Sequence, residues 1–535
     1  MGGAASAMRS EAIEGRGFRR WEGGARRRHR ACAALIAAVL ALIAGPSRPA
    51  QAQSGFADDR VMLQGFYWES CRHGRPDRFP ALGSARWYDI VRAQAATIAA
   101  GGFDLIWLPP VSYAGDLSVG YNPKEYFRLD NSYGSLAQHR AMLSALLKQG
   151  IEPIGDIVIN HRDGTSGWAD FKNPAWGPWA ICADDEAFTN QASGIAGTPL
   201  EQRGACEDAV AYRPDKTYAY DSFRDVAHVD KRVRDDIVRY LLQLRSAGYR
   251  GWRYDMVHGY HARWIACYNA ATKPTFSVGE YDWDAHNQQR GWIWNTSATP
   301  QATGDDHLKG ASNVFDFTTF FGLKAINDGR YAGLYGYGKG IGMVGDDTDG
   351  LSWKNRAVTF VENHDTGYRT NDDGTPQSDH RMDTFANNWQ VEQAYAQILT
   401  HPGVPTVYWK HYFDWGDSLR ARIKALVNAR KVAGVHAGSA LHLQDNARAA
   451  GAYAAFVEGR NGSLYVRIGG SDETWQPSHS GYSGYREYAA GAGWKVWVAL
   501  PGNPPVKQAP HHAAFPIPAY KDASQIAIPD VPLCR

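Results

Sequence analysis

Strand-like and helix-like segments alternate along most of this chain, and the alternation restricts its fold more than any other feature of the sequence. Apolar runs typical of buried strands occur at 61–68, 103–108 and 151–159. Between them, residues 87–100 and 136–148 carry apolar side chains at helical spacing. Because strands that are joined through helices pair in parallel, this part of the chain predicts a parallel sheet covered by helices.

The alternation stops at residue 162 and resumes near residue 233. Residues 162–222 are rich in Gly, Pro, Asn, Asp and Trp and have little periodicity, which predicts an inserted subdomain rather than a loop. Five further strands are predicted at 250–255, 276–280, 313–317, 357–361 and 404–409. Eight strands with intervening helices are the number found in a (β/α)8 barrel, which is an α/β fold.

The pattern changes again after residue 433. Short alternating segments at 452–458, 463–468, 487–490 and 495–500 predict a small antiparallel β domain. We expect the Pro-rich end of the chain to lie over the surface or to be partly disordered. The predicted organisation is a signal peptide at 1–52, the first part of the barrel at 53–161, the inserted subdomain at 162–222, the second part of the barrel at 223–432, the C-terminal β domain at 433–500 and a Pro-rich tail at 501–535.

The first 52 residues have the features of a secretory signal, namely a basic cluster at 26–30, an apolar run at 31–44 and the cleavage sequence AQA at 50–52. The apolar run is short for a bilayer span, which disfavours the alternative of a membrane anchor. Cleavage would leave 48 basic and 52 acidic side chains, and the formal charge would change from +2 to −4. We therefore expect a secreted protein, extracellular or periplasmic, that binds neither nucleic acid nor, after cleavage, membrane. We also expect a monomer, although the sequence leaves the oligomeric state open.

Five cysteines would remain after cleavage, and in an oxidising compartment they predict two disulfides and one thiol. Cys182 and Cys206 flank one short region and are the first choice for a bridge. The partners of Cys71, Cys267 and Cys534 stay open.

Four polar clusters follow predicted strands, at the end of the barrel where active sites of this fold lie. They are DIVINH at 156–161, the pair Arg253 and Asp255, Gly279-Glu280, and ENHD at 362–365. Arg253 and Asp255 stand two residues apart on a strand and so share a face, where a guanidinium holds a carboxylate ionised. One such cluster is typical of a structural ion pair or a strand cap, but four on one rim predict a common site.

The clusters DIVINH, GWRYDMVHG, VGE and FVENHD resemble, in this order, the four short motifs of the α-amylase family of glycoside hydrolases. The resemblance extends over most of residues 55–435. QGFYWES at 64–70 and GYNPKEY at 120–126 look most like plant-type members, whereas NHDTGY and TVYWKHYFDWG are also similar to bacterial maltooligosaccharide-forming members. The resemblance implies a (β/α)8 TIM barrel with an inserted calcium-binding subdomain after strand 3 and a C-terminal antiparallel β domain.

The family resemblance also assigns expected roles. Retaining glycosidases use one carboxylate as nucleophile and a second carboxyl group as acid and base. By the resemblance these are Asp255 and Glu280, and Asp365 is the third carboxylate, which binds sugar hydroxyls. The residues expected to bind substrate are Tyr121, His161, Arg253, His258 and His364.

His258 departs from the commonest family pattern. Many members have Lys-His at the third and fourth positions after the nucleophile, whereas this chain has His258-Gly259. Plant-type and maltooligosaccharide-forming members also have a basic residue followed by Gly there. A histidine in the basic position predicts that this contact to the leaving group depends on pH.

The resemblance further implies a Ca²⁺ cofactor between the barrel and the insertion, since calcium binds six to eight oxygen ligands. The expected ligands are Asn160, Asp225, the carbonyl of Gly259, and Asp215 with the carbonyl of Tyr218 as a companion. Asp208 competes with Asp215 for that position.

The expected function is that of an α-amylase acting on internal or near-terminal α-1,4 bonds of starch, glycogen and maltodextrins with retention of configuration. An α-1,4-glucanotransferase of the same family is the alternative, since it shares all four motifs. A non-catalytic glucan-binding protein is disfavoured because Asp255, Glu280 and Asp365 are all present.

Overall fold

The computed structural model of this 535-residue chain describes most of the sequence after residue 55. The described residues are 56–167, 169–206, 223–282, 286–338, 340–342, 349–371, 375, 385, 387–470, 476–477, 484–501 and 512–535. The predicted signal peptide, the calcium candidates Asp208, Asp215 and Tyr218, and residues 502–511 of the tail lie outside these ranges.

Eight parallel strands close into a barrel, which confirms the predicted fold class. Around the barrel the order is β1-β2-β3-β6-β7-β8-β9-β10, and β10 pairs with β1. The strands of the described residues are β1 (Met62–Gln64), β2 (Leu105–Pro110), β3 (Glu152–Ile157), β4 (His161–Arg162), β5 (Arg224–Asp225), β6 (Gly251–Tyr254), β7 (Phe276–Gly279), β8 (Asn313–Phe315), β9 (Ala357–Phe360), β10 (Val404–Tyr408), β11 (Leu441–Leu443), β12 (Ala452–Glu458), β13 (Ser463–Gly469), β14 (Arg486–Gly491) and β15 (Trp494–Ala499).

The long helices that alternate with the barrel strands cover the outside of the barrel, because a helix with an apolar stripe is stable only when that stripe is buried. The second of them begins where the Ser135 side chain accepts a hydrogen bond from the Gln138 amide and ends near Gly150, whose φ is +71°. The helices are α1 (Trp87–Ala100), α2 (Leu136–Lys148), α3 (Glu186–Thr189), α4 (Lys231–Ala247), α5 (Arg263–Thr272), α6 (His286–Asn295), α7 (Gly304–Lys309), α8 (Phe317–Leu323), α9 (Asn388–Thr400), α10 (Asp417–Ala433) and α11 (Asp445–Ala449).

The first strand is shorter than its apolar run predicts. β1 ends at Gln64, and the chain then turns into a 3-10 helix at Trp68–Arg72. This turn carries Trp68 and Glu69 to the rim of the barrel, so the apolar character of residues 65–68 comes from packing at the rim rather than from a strand.

The insertion leaves the barrel after β3 and returns before α4. Its two ends are joined where β4 pairs antiparallel with β5, with His161 opposite Asp225. The predicted Cys182–Cys206 bridge is confirmed. The buried Arg162 guanidinium lies within 4.9 Å of the rings of Tyr126, Phe171 and Trp176, which ties the insertion to the barrel.

The C-terminal domain is an antiparallel sheet of order β11-β12-β13-β15-β14. Four of its strands match the predicted segments, whereas β11 has only three half-buried residues and no clear alternation, which is why the sequence did not predict it. The sheet packs on α9 of the barrel, where Trp494 Nε1 donates to Glu392 at 3.1 Å.

The described part of the tail, residues 512–535, lies along the outside of the barrel. Gln243 of α4 donates to the Tyr520 hydroxyl at 2.9 Å, and Cys534 forms a disulfide with Cys267 of α5. The sequence left the partners of Cys267 and Cys534 open, and the structure pairs them with each other. Cys71 is a buried thiol whose Sγ donates to the Leu117 carbonyl.

Among the described residues, we find no helix long and apolar enough to cross a membrane.

Candidate active site

The centre of the rim is the fully buried guanidinium of Arg253, which contacts three carboxyl groups. Nη1 lies 2.8 Å from Asp156 Oδ1 and 2.7 Å from Asp255 Oδ1. Nη2 lies 2.8 Å from Glu280 Oε1. The hydrogen bonds from Nη1 fix the direction of the Asp156 and Asp255 carboxylates, and the ion pair at Nη2 keeps the Glu280 carboxyl group beside them.

The register of two neighbouring strands places Asp255 beside Glu280. Tyr254 at the end of β6 pairs with Gly279 at the end of β7, and each acid is the next residue of its strand. The Glu280 amide donates to the Tyr254 carbonyl at 2.9 Å, which continues the ladder by one step. Both side chains are at most 10% exposed. Adjacent parallel strands are about 4.8 Å apart, which suits two acids that act on one bond.

The backbone turns sharply after Asp255. Met256 has φ +41°, a left-handed conformation that is uncommon for a residue with a side chain. The turn is supported by Glu280, whose carbonyl accepts from the Val257 amide at 3.0 Å. Backbone strain of this kind is often found at functional sites, and here it brings the end of β6 against the end of β7.

Burial raises the pKa of Asp255 well above its ordinary value, and the nearby charges of Glu280 and Asp156 act in the same direction. Arg253 opposes this shift. Burial also raises the pKa of Asp156, against the effect of Arg253. Asp156 and Asp255 are therefore both harder to ionise than an ordinary aspartate, and the charge of Arg253 opposes this shift in each of them.

Asp365 lies on the solvent side of the site, with its side chain 40% exposed. Its Oδ2 is 3.1 Å from His364 Nε2, and its Oδ1 accepts from Arg369. Desolvation is outweighed by the charges of His364 and Arg369, which hold the pKa of Asp365 below its usual range. Asp365 therefore stays ionised to a lower pH than an ordinary aspartate.

Aromatic rings surround His364. Its ring is stacked with Tyr121 at 5.1 Å and lies parallel to Trp68 at 6.2 Å. Gln64 Nε2 lies 2.9 Å from His364 Nδ1, and the opposite nitrogen of the ring, Nε2, faces Asp365. Tyr121 and Trp68 are half-buried, and exposed faces of such rings suit the apolar faces of sugars.

His161 and His258, both predicted to bind substrate, have polar protein atoms next to their ring nitrogens. His161 Nε2 bonds to the Tyr121 carbonyl at 2.7 Å, and Nδ1 is 3.3 Å from the Asn160 amide. His258 is buried, with Nδ1 3.2 Å from Asp282, which is 44% exposed. His258 lies at the end of β6 on the same rim as Glu280 and Asp255.

Sequence reasoning did not assign a role to Asp156, although it opens one of the four clusters. Asp156 lies directly opposite Arg253 in the register of β3 and β6. Its Oδ2 accepts from Trp107 Nε1 at 3.0 Å and from the Tyr121 hydroxyl at 2.8 Å. A carboxylate inside an apolar strand is the signal that could have identified it, because a buried charge requires a partner.

Three of the predicted calcium ligands line one small cavity of about 30 Å³ between the barrel and the insertion: Asn160, Asp225 and Gly259. Asn160 Oδ1 is buried and has no hydrogen-bond partner among the described residues. A Cβ atom at Gly259 would lie 1.9 Å from that oxygen, so glycine leaves the space in front of it open. An orphaned amide oxygen with a nearby carboxylate and a backbone carbonyl fits a hard cation such as Ca²⁺.

Two parts of the chain, one in the barrel and one in the C-terminal sheet, match models of known protein families. Residues 97–288 match the family model described as alpha amylase, catalytic domain, and residues 432–498 match the alpha-amylase C-terminal beta-sheet domain. Barrel, rim and C-terminal sheet together define a glycoside hydrolase.

The chain is 31% identical over 432 residues to "Probable alpha-amylase 2" of Arabidopsis thaliana, which covers 78% of this chain and 89% of that protein. It is 32% identical over 436 residues to "Glucan 1,4-alpha-maltotetraohydrolase" of Stutzerimonas stutzeri, with 76% and 69% covered. The solved structure of an Anoxybacillus alpha-amylase has the same fold at 14% identity, with a TM-score of 0.56 and coverage of 85% of this chain and 99% of that one. This chain belongs to the α-amylase family.

Proposed function

We propose that this protein is a secreted α-amylase that hydrolyses internal or near-terminal α-1,4-glucosidic bonds of starch, glycogen and maltodextrins with retention of configuration. The observation that carries the proposal is the contact of one buried guanidinium with both Asp255 and Glu280 at the ends of neighbouring strands. The names of the relatives, a plant alpha-amylase and a bacterial maltotetraohydrolase, support the same bond type and an oligosaccharide product.

In the proposed reaction Glu280 donates its proton to the glycosidic oxygen while the Asp255 carboxylate attacks C1 of the sugar. The bond between C1 and the leaving oxygen breaks, and a glycosyl ester forms on Asp255. Glu280 then removes a proton from a water molecule, which attacks C1 and releases the sugar. Two displacements at C1 restore the α configuration.

The surrounding residues support this chemistry. Arg253 keeps a positive charge 2.7 Å from Asp255 and so favours the ionised form that attack requires. Asp365 stays ionised, and its side chain is partly exposed to solvent. A carboxylate with these two properties can bind sugar hydroxyls and stabilise positive charge at C1. Tyr121 and His364 form the stacked wall next to it.

Product analysis on maltoheptaose tests the bond type and separates hydrolysis from transfer. We expect shorter maltooligosaccharides, released as α anomers at early times. Chains longer than maltoheptaose as the main products would instead identify a glucanotransferase, the alternative within the family. An intact substrate would refute both.

The pH dependence of kcat/KM is expected to have an acid limb above the ordinary carboxyl range of about 3.9, because this parameter reports the free enzyme. Asp255 must be ionised to attack, and its raised pKa means that it becomes protonated as the pH falls through a value higher than usual. Asp365, whose pKa is lowered, should not contribute to this limb. Full activity at or below about pH 4 would show that the pKa of Asp255 is not raised in the free enzyme.

We further propose that Asn160, Asp225 and the Gly259 carbonyl bind Ca²⁺, with additional ligands from the insertion. When bound, the cation would neutralise Asp225 and join the insertion to the barrel beside the rim. It would thus fix the chain that runs from β3 through His161, without taking part in the displacement.

Removal of calcium is expected to lower the melting temperature. A ligand that binds only the folded state stabilises it by about 2.7 kcal/mol when its free concentration is about 100 times its Kd.

Gly259→Ala should abolish calcium binding in titration calorimetry, since its methyl group would fill the space in front of Asn160 Oδ1. Gly336→Ala is the matched control, because a Cβ there meets no atom within 4 Å. Equal calcium affinity in both variants would disprove the site.

A further inference from the structure

The loop that carries Asp365 also carries Arg369, for which the sequence predicted no role. Arg369 Nη2 donates to Asp365 Oδ1, and Nε donates to the His364 carbonyl at 3.0 Å. The guanidinium carbon lies 3.7 Å from the centre of the Trp68 ring. With a side chain only 15% exposed, Arg369 is held on three sides.

Contacts that do not involve the Arg369 side chain anchor the backbone of this loop. Glu69 accepts hydrogen bonds from the amide and the hydroxyl of Thr370. Lys410 donates to the Tyr368 carbonyl at 2.6 Å and pairs with Glu69 at 3.1 Å. Arg72 donates to the carbonyls of Thr370 and Asn371, both at 3.1 Å. Residues 368–371 are therefore anchored by several contacts besides the bond from Arg369 Nε to the His364 carbonyl.

The Arg369 guanidinium instead controls the carboxylate of Asp365. One oxygen of Asp365 faces Arg369 and the other faces His364, so the carboxylate is held at both ends and cannot rotate freely. The backbone amide of Asp365 is fixed as well, since it donates to Asn363 Oδ1 at 2.8 Å. The charge of Arg253 of β6, deeper in the barrel, also lowers the pKa of Asp365.

We infer that Arg369 is a positioning residue that fixes the orientation of the Asp365 carboxylate toward the sugar, an inference that rests on the role proposed for Asp365. Its stacking on Trp68 makes the guanidinium a rigid support, because a planar fork that lies on a ring has few orientations left. A carboxylate that loses this support would still be present and charged, but it would rotate away from the geometry that the transition state needs.

The test compares Arg369→Gln with Arg369→Lys and with Arg72→Gln on a maltooligosaccharide substrate. Arg369→Gln should lower kcat about 10- to 100-fold, the loss expected from small misplacement of a reacting group, with KM little changed. Arg369→Lys should recover part of kcat, because an ammonium can still pair with Asp365 although it cannot stack as a plane. The Arg72 side chain anchors the same loop but does not contact Asp365. The Arg72→Gln variant should therefore keep kcat near that of the wild type.

Unchanged kcat in Arg369→Gln would overturn the inference, and so would equal losses in Arg369→Gln and Arg72→Gln, which would mean that the loop as a whole had loosened. Asp365→Asn, measured in parallel, separates this result from the proposed function. If Asp365→Asn loses activity and Arg369→Gln does not, only the role of Arg369 fails. If Asp365→Asn keeps the wild-type kcat, the role proposed for Asp365 fails as well.

Discussion

Replacement of Asp255 by Asn is expected to lower kcat on soluble starch by roughly 10⁴- to 10⁶-fold, the range seen when a covalent nucleophile is removed. The amide has the shape of the carboxylate but cannot form the glycosyl ester. Arg253 would keep its contacts with Asp156 and Glu280, so the remaining site should stay in place.

The same variant should be at least as stable as the wild type. The raised pKa of Asp255 means that the ionised side chain is disfavoured in the folded protein relative to the unfolded chain. Removing that charge relieves repulsion from Glu280 and Asp156 at neutral pH, and we expect an unchanged or higher melting temperature. Asp306→Asn, at an exposed position of α7, is the matched control for activity and stability.

Activity near that of the wild type in purified Asp255→Asn would exclude it as the nucleophile and remove the basis of the proposed mechanism. A large loss of both activity and melting temperature would show that Asp255 is needed for folding instead.

Replacement of Glu280 by Gln should have the second largest effect, a loss of about 10²- to 10⁴-fold on starch, which is the contribution of general acid–base catalysis. The loss should depend on the leaving group. An aryl maltoside with an acidic phenol needs no protonation to depart, so Glu280→Gln should still release a burst of phenol as Asp255 becomes glycosylated.

The second step of the reaction gives an independent readout for Glu280. Azide needs no general base, so it should accelerate turnover of the glycosylated Glu280→Gln variant and yield an α-glycosyl azide. Asp255→Asn has no glycosyl intermediate to release and should not give this product. If azide does not accelerate Glu280→Gln, or if the loss is the same for starch and for the aryl substrate, Glu280 is not the acid and base.

The residues of the rim could largely be predicted from the sequence because they follow local rules. Apolar runs indicate where strands lie, and the polar residue that ends each run marks the carboxyl end of a strand. Asp255 and Glu280 were placed in this way, and their strands are neighbours in the barrel. The Cys182–Cys206 pairing was also accessible, since the two cysteines are 24 residues apart.

Other features depend on contacts between distant parts of the chain. The Cys267–Cys534 bridge joins residues 267 apart, and no local pattern of the tail indicates α5 as its partner. Arg369 could not be recognised from the sequence because the role we infer for it depends on its contacts with Asp365 and with Trp68, which the early turn after β1 brings to the rim. The predicted first strand was too long for the same reason, since residues 65–68 are apolar but do not pair in the sheet.

The sequence by itself determined the order of strands and helices, the insertion, the C-terminal sheet and the acids that end the barrel strands. Only the tertiary structure decided that one guanidinium touches Asp156, Asp255 and Glu280 together, and that Asn160 Oδ1 faces Gly259 without a partner. The physical reason is that strand propensity is local, whereas the register between strands and the closure of the barrel depend on packing of the whole chain. Distances between side chains on different strands, and the pKa of each acid among them, follow from that packing alone.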